Sequence, residues 1–336
     1  MKKTQSFVFL ILFLGLLISC GVFDNEQVPE CLKSTSEQSP DILTCYNPLY
    51  FERPAWHPNG DWIAAEHSDS VDTNNDGLKD TLFSGIWLVN ANNGQTQPLL
   101  PFGNAPAWNP LGTHLAVHAG GNIYTIHITA ISPANYDSSS ITLLTPFDAS
   151  AFFPTWSDDG QWIAFDTNYL DSEGANVIWK TRTDGSDLTD ISIHQVGEWR
   201  YANWNGQLIA HSRYVSERAI GPEIFIMKED GKHSSQLTNS GRNYNPKFSP
   251  DGRKIGYEHH AEGLSIALWV MNSDGSDKRR IAKNWSSDMA WSPDGKKIVY
   301  VFSNQYYDVP GNGQLWIMNK DGGGKRQLTN YTPIHP

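Results

Sequence analysis

One short pattern recurs six times along this chain, and a repeat of that kind restricts the fold more than any other feature. The copies read RPAWHPNGDWIAAE from Arg53, APAWNPLGTHLAVH from Ala105, FPTWSDDGQWIAFD from Phe153, YANWNGQLIAHS from Tyr201, NPKFSPDGRKIGYE from Asn245 and DMAWSPDGKKIVYV from Asp288. Their aromatic anchors are Trp56, Trp108, Trp156, Trp204, Phe248 and Trp291, spaced 52, 48, 48, 44 and 43 residues apart. Each copy runs on into a second apolar segment: IWLVNANNG from Ile86, IYTIHI from Ile123, IWKTRTDG from Ile178, IFIMKEDG from Ile224, LWVMNSDG from Leu268 and LWIMNKDG from Leu315. A last short run closes the unit, clearest in SSQLT and KRQLT.

The apolar runs are short, alternate in period two, and are separated by Asp-Gly or Asn-Gly pairs that suit turns needing positive φ. Proline just before the first turn sits where no ladder hydrogen bond is required. Each unit therefore reads as four short antiparallel strands without a helix, and 40 to 50 residues is the length of one propeller blade. The expected fold is all-β, a six-bladed β-propeller of four-stranded antiparallel blades. A single blade cannot cover both its faces, so the anchors should fill the wedges between neighbours. Ile163 with Phe165, and Ile298 with Tyr300, should face one side, while Ala164 and Gly256 permit close approach on the other.

P-x-W-S-P-D-G-x-x-I, followed by L-W-x-M-N-x-D-G and L-T, resembles the TolB-like, or WD40-like PD40, propeller repeat. The likeness spans roughly residues 43 to 330 and is strongest over 246–329. Three units depart from it: His57 replaces the usual serine, Asp158 the usual proline, and unit four lacks two turn residues around Asn205-Gly206. The resemblance implies loop-rich faces and a central channel offered to a protein or peptide partner. Divergent loops at Tyr169–Gly174 and Tyr214–Ala219, with Tyr306-Tyr307, are where such a partner would be chosen. Ring closure is open at this level. Ile42-Leu43-Thr44 resembles an outer-strand ending, and Asn330 to Pro333 resembles the approach to a further blade.

The amino terminus reads MKKTQSFVFLILFLGLLISC: two lysines, then an apolar stretch too short to span a bilayer comfortably. Leu17-Ile18-Ser19-Cys20 resembles a bacterial lipobox, which implies acylation of Cys20 after removal of residues 1–19. Several acyl chains on one residue would give firm anchoring. Gly21 stands where an aspartate would disfavour onward sorting, so an outer-membrane lipoprotein is expected in a Gram-negative cell. Residues 20–41 read as a tether, and 42–336 as the propeller with an insertion at 69–80. Loss of Lys2 and Lys3 takes the formal charge from −11 to −13, which gives nucleic acid no electrostatic attraction. Cys31 and Cys45 either pair, as an oxidising compartment allows, or stay free. A monomer is expected.

The insertion DSVDTNNDGLKD crowds carboxylates and amides around one glycine. Asp72, Asn74, Asp76, the Leu78 carbonyl and Asp80 match the oxygen spacing of EF-hand, dockerin and thrombospondin type-3 calcium loops. Hard oxygen donors suit Ca²⁺, here in a structural role. Phe83 occupies the twelfth position, where an EF-hand has its bidentate glutamate; Glu66 or Asp69 are the available substitutes.

No G-x-S-x-G, H-E-x-x-H or phosphate-binding loop is present, and Gly322-Gly323-Gly324-Lys325 lacks the Walker spacing. Only six residues follow Asn330, so a catalytic domain beyond the propeller is not expected. Aligned at the third residue past the second-strand Ile or Leu, the units give Glu66, His118, Asp166, Ser212, Glu258 and Val301. Glu66, His118, Asp166 and Glu258 could form a polar ring near one mouth, with His57, His67, His211, His259 and His260 as further ligands. Two functions follow: a membrane-anchored binding or scaffold protein of the cell envelope, or a metal-assisted polysaccharide lyase working in the channel. The first is favoured, so an enzyme is not the leading expectation.

Overall fold

A computed structural model describes residues 50–71, 81–145, 150–168, 176–192, 198–215, 221–261, 266–283, 285–303 and 313–330. The calcium-type loop at 72–80, the amino-terminal segment with Cys20, Cys31 and Cys45, Tyr306-Tyr307 and the tail from 331 lie outside them, as do 169–175 and 216–220. Residues 47–68 and 84–336 make one compact unit, and that unit is a propeller.

Its six antiparallel sheets follow chain order from the axis outward. Blade one is Phe51–Trp56, Trp62–Val71, Thr81–Asn90 and Thr96–Leu100. Blade two is Asn104–Trp108, His114–Ala119, Asn122–Ile131 and Thr142–Leu143, with Ala134–Tyr136 added. Blade three is Ala151–Trp156, Trp162–Thr167, Val177–Arg182 and Thr189–Asp190, and blade four Trp199–Asn205, Leu208–Arg213, Glu223–Lys228 and Ser235–Gln236. Blade five is Arg242–Phe248, Lys254–His260, Ile266–Asn272 and Arg279–Arg280, and blade six Ser286–Trp291, Lys297–Ser303, Gly313–Asn319 and Arg326–Gln327.

All six aromatic anchors are buried, as the wedge argument requires. Between blades five and six, Leu268, Val270 and Ile281 meet Met289, Trp291, Ile298 and Tyr300. Burying one such side chain is worth about 2–3 kcal/mol. Gly256 permits this approach: a Cβ there would lie 2.2 Å from the Met289 methyl.

The repeated polar residues each have a task. In the first turn the serine hydroxyl donates to the aspartate two residues on (Ser249 to Asp251 at 2.6 Å, Ser292 to Asp294 at 2.7 Å) and accepts an N–H from five residues on. The threonine of L-T accepts the third-strand N–H, Ile224 to Thr238 at 2.8 Å and Leu315 to Thr329 at 3.0 Å. It then donates to the residue before that N–H, Glu223 or Gln314. His57, in the serine's place, contacts the Gly112 carbonyl of blade two at 3.0 Å.

The ring closes by the same contact that joins its other blades. At the outer turn, Gly185, Gly231, Gly275 and Gly322 lie against the end of the preceding blade. Gly94 of blade one packs likewise on blade six, where a Cβ would come 2.0 Å from the Leu328 carbonyl oxygen. The Trp56 indole donates to the Ala290 carbonyl at 3.2 Å, and Arg326 to that of Ala91 at 2.9 Å. Among the described residues every blade is contiguous in sequence, and no strand is exchanged at the seam.

Blade two departs from the expected four strands. It has no glycine at the outer turn; the third strand runs on to Ile131 and folds back through Ala134–Tyr136. Ile131, Ala134, Tyr136 and Ile141 pack onto the core shared with blade one. Gln97 of blade one fixes this extra hairpin, donating to the Ile131 carbonyl at 2.7 Å and accepting from the Ala134 N–H at 3.1 Å.

Candidate functional site in the central channel

Every innermost strand carries the same irregularity. Register slips by one step after Glu52, Asn104, Phe152, Arg200, Tyr244 and Ser287. The next residue in each strand has positive φ: Arg53 (50°), Ala105 (48°), Phe153 (51°), Tyr201 (60°), Asn245 (51°) and Asp288 (45°). None is glycine, so six strained positions recur at equal height, where a bulge re-aims the side chain. All six line one central cavity of about 260 Å³, together with Lys247 and Glu258. Six matching backbone sites thus present six different side chains to one space.

Sequence reasoning placed the ring one strand further out, and the second-strand residues have a distinct geometry. Several brace the bulges. Asp166 accepts the N–H of Tyr201 at 2.5 Å, Ser212 that of Asn245 at 3.2 Å, and Glu258 that of Asp288 at 2.9 Å, each reaching the following blade. Glu66 instead pairs with Arg53 of its own blade at 2.5 Å, and His118 Nδ1 lies 2.5 Å from Asn104 Oδ1. Val301 is buried apolar packing. Glu258 lines the central cavity; His118 and Asp166 line a neighbouring one of about 480 Å³ with Arg53, Phe152 and Arg200.

The other histidines are dispersed. His67 contacts the Tyr50 carbonyl at 2.7 Å, His259 meets Asn243 at 2.9 Å, and His260 meets Glu258 at 3.3 Å. His211 is wholly buried and stacked on Trp199. Among the described residues no three His, Cys, Asp or Glu side chains are grouped to hold a metal ion.

The channel's electrostatics follow from burial beside unlike neighbours. Burial works against the Arg53 charge, but Glu66, Asp288 and Glu52 outweigh it and hold the guanidinium charged. Asp288 is pushed up to about 7 by burial and by the adjacent Glu258 carboxylate, against the pull of Arg53. Burial opposes ionisation of Glu258 too, yet hydrogen bonds from His260, Asn245 and the Asp288 N–H hold it below its ordinary value. Burial raises Asp166 to about 7 despite its two backbone donors. It lowers His118 to about 4, with Arg53 adding repulsion, and raises Tyr201 to about 12. A π-faced wall of Phe153 and Tyr201, ring centres 4.7 Å apart, stands beside these charges.

This arrangement offers aromatic, cationic, anionic and amide groups to one ligand, the mixture used to recognise a peptide surface. The inner-strand positions were missed because the positive φ of an Arg or a Phe leaves no mark in the sequence. The available signal is variation: three residues before each anchor, an otherwise regular motif reads Arg, Ala, Phe, Tyr, Asn and Asp.

Among curated proteins, an uncharacterised protein of Agrobacterium fabrum is 26% identical over 213 residues, which is 61% of this chain and 68% of that one. TolB from Acinetobacter baumannii superposes with a TM-score of 0.57 at 19% identity, over 78% of this chain and 62% of its own. An oligogalacturonate lyase from Vibrio parahaemolyticus does so with a TM-score of 0.53 at 12% identity, over 83% and 77%. Likenesses at that identity establish the fold. The family model described as the TolB beta propeller domain, PD40, matches residues 83–281 and 203–334. That span exceeds half of the chain, which belongs to the TolB beta propeller domain family.

Proposed function

We propose that this protein is a cell-envelope binding or scaffold module, lipid-anchored through an acylated Cys20, whose channel receives a segment of a protein or peptide partner. The observation that carries the reading is the set of six equivalent bulges bearing Arg53, Ala105, Phe153, Tyr201, Asn245 and Asp288 around one cavity. A purely architectural ring would repeat its side chains as the anchors do. This one varies them while keeping the backbone, as a recognition surface does. The anchor places the module at a membrane, in the outer membrane of a Gram-negative cell. Calcium held by Asp72, Asn74, Asp76, Leu78 and Asp80 stiffens the blade-one insertion.

The reading is tested by placing a photo-crosslinking phenylalanine analogue at Tyr201 of the full chain in living cells. The expected result is one discrete crosslinked envelope protein, lost in Arg53→Ala and Asp288→Ala. Absence of any crosslinked protein, together with channel-dependent turnover of an acidic oligosaccharide, overturns it in favour of a lyase.

A further inference from the structure

One step along each inner strand from the bulge, a second ring faces the opposite mouth: Ala55, Ala107, Thr155, Asn203, Lys247 and Ala290, all lining a cavity of about 410 Å³. Five are small, and Lys247 is the single long side chain. It alone of the six also lines the central cavity, so it stands between the two spaces.

The Lys247 side chain has no bracing task of the kind Thr155 and Asn203 perform; only its backbone carbonyl holds the next anchor, accepting the Trp291 indole N–H at 3.0 Å. Thr155 accepts the N–H of Trp204 at 3.3 Å and Asn203 that of Phe248 at 2.8 Å, so both tie the next blade's anchor. An ammonium has no acceptor and cannot do this for Trp291. Among the described residues no carboxylate oxygen lies within ion-pairing reach of its Nζ. Asp288, Glu258 and Asp166 act on it from a distance, and burial still depresses its proton affinity below that of an ordinary lysine. The approach to it is walled by Trp56, Trp108 and Trp156 with Pro58, Pro110 and Pro250.

We propose that Lys247 is the anchor for a carboxylate of the partner peptide, entering through the tryptophan- and proline-walled mouth. This rests on the peptide-binding reading above. Asn109, Ser157, Asp158, Asn203 and Asn205 make the rest of this mouth polar, with Asp158 committed to the Gly206 N–H, so the Lys247 ammonium is the one cationic group lining it that an entering carboxylate would meet. The carboxylate belongs to an acidic side chain or to a chain terminus.

The experiment uses full-length protein carrying carbon-labelled lysine, with the Lys247 resonance assigned by its loss in Lys247→Met. Three probes separate the sources: Gly-Pro-Gly-Gly with a free carboxyl terminus, the same peptide amidated, and N-acetyl-Gly-Pro-Glu-Gly-amide. The expected result is movement of the Lys247 resonance with the first probe, the third or both, and none with the amidated peptide. Calorimetric affinity should fall about tenfold or more in Lys247→Met and largely survive in Lys247→Arg, with both variants melting as wild type does. Equal binding of the probes by wild type and Lys247→Met overturns the assignment while leaving peptide recognition standing. So does a Lys247 resonance unmoved by every probe when the Tyr201 crosslink still captures a partner.

Discussion

Asp158 of blade three accepts a hydrogen bond from the Gly206 N–H of blade four at 2.8 Å. These are two of the units' departures from the repeat, and they meet. The shortened blade-four hairpin pairs Asn205 with Leu208, leaving Gly206 inside a two-residue turn. A proline at 158 would supply no acceptor; the aspartate does. The Trp204 indole turns to the Gly206 carbonyl at 2.9 Å, whereas Trp156 and Trp291 donate to the preceding blade.

Replacing Asp158 by proline should therefore lower stability by about 0.5–1.5 kcal/mol, the net worth of one such bond. Restoring the two missing turn residues in blade four should remove most of that penalty. Urea denaturation of both single variants and the combination measures the coupling.

Closure at the seam makes a second prediction. Gly94→Ala forces a Cβ against the Leu328 carbonyl and into positive φ, at a cost of about 2 kcal/mol or more. Gly60→Ala shares the positive φ but meets no atom within 4 Å, so it should cost only about 1 kcal/mol. The difference between their unfolding midpoints isolates the packing of blade one on blade six.

His211 occupies the slot filled by Phe165, Tyr257 and Tyr300 in other blades, and neither ring nitrogen makes a well-formed hydrogen bond, the Ser212 backbone giving the ring only weak support. His211→Phe should stabilise by about 1 kcal/mol near neutrality, since a buried donor is left unmade in the wild type. Burial, with help from Arg213, lowers the folded imidazole to about 3, whereas an unfolded histidine titrates near 6.5. The unfolded chain therefore binds the extra proton between those values, and stability contributed by the neutral ring drains away as pH falls from about 6.5 toward 3. The phenylalanine variant should show a flatter acid limb in melting temperature against pH.

Calcium titration checks the insertion. Isothermal calorimetry on the full chain should show one site, lost in Asp76→Ala, and chelation should lower the melting temperature of the wild type only. No heat and no melting shift in the wild type would remove calcium from the account.

Much of this fold is legible in the sequence. The anchors declare the blades, and Asp-Gly pairs and L-T mark their turns and ends. Local features show well because each is satisfied within its own unit: Ser249 with Asp251 is read from two positions. What escapes is contact between units. Asp158 and Gly206 are each visible as oddities, but their meeting requires knowing which blade follows which. Glu66, His118, Asp166 and Glu258 hold matching second-strand positions. The bulge beside them decides which strand faces the cavity, and its positive φ falls on Arg53, Phe153 and Tyr201, where no glycine announces it. The blade-two hairpin was missed for a related reason: its apolar residues find cover on a neighbour, so they look like an ordinary loop.

Five seams of one design, with the Gln97-fixed hairpin at the sixth, have a topological consequence. Because, among the described residues, no sheet borrows a strand from elsewhere in the chain, the ring has no privileged clasp. The covalent break could sit at any junction between blades without dismantling a sheet. A permuted gene starting at Ala151 and rejoined through a linker would make the same ring, which would let the amino-terminal segment be moved around its rim like the loop on a key ring.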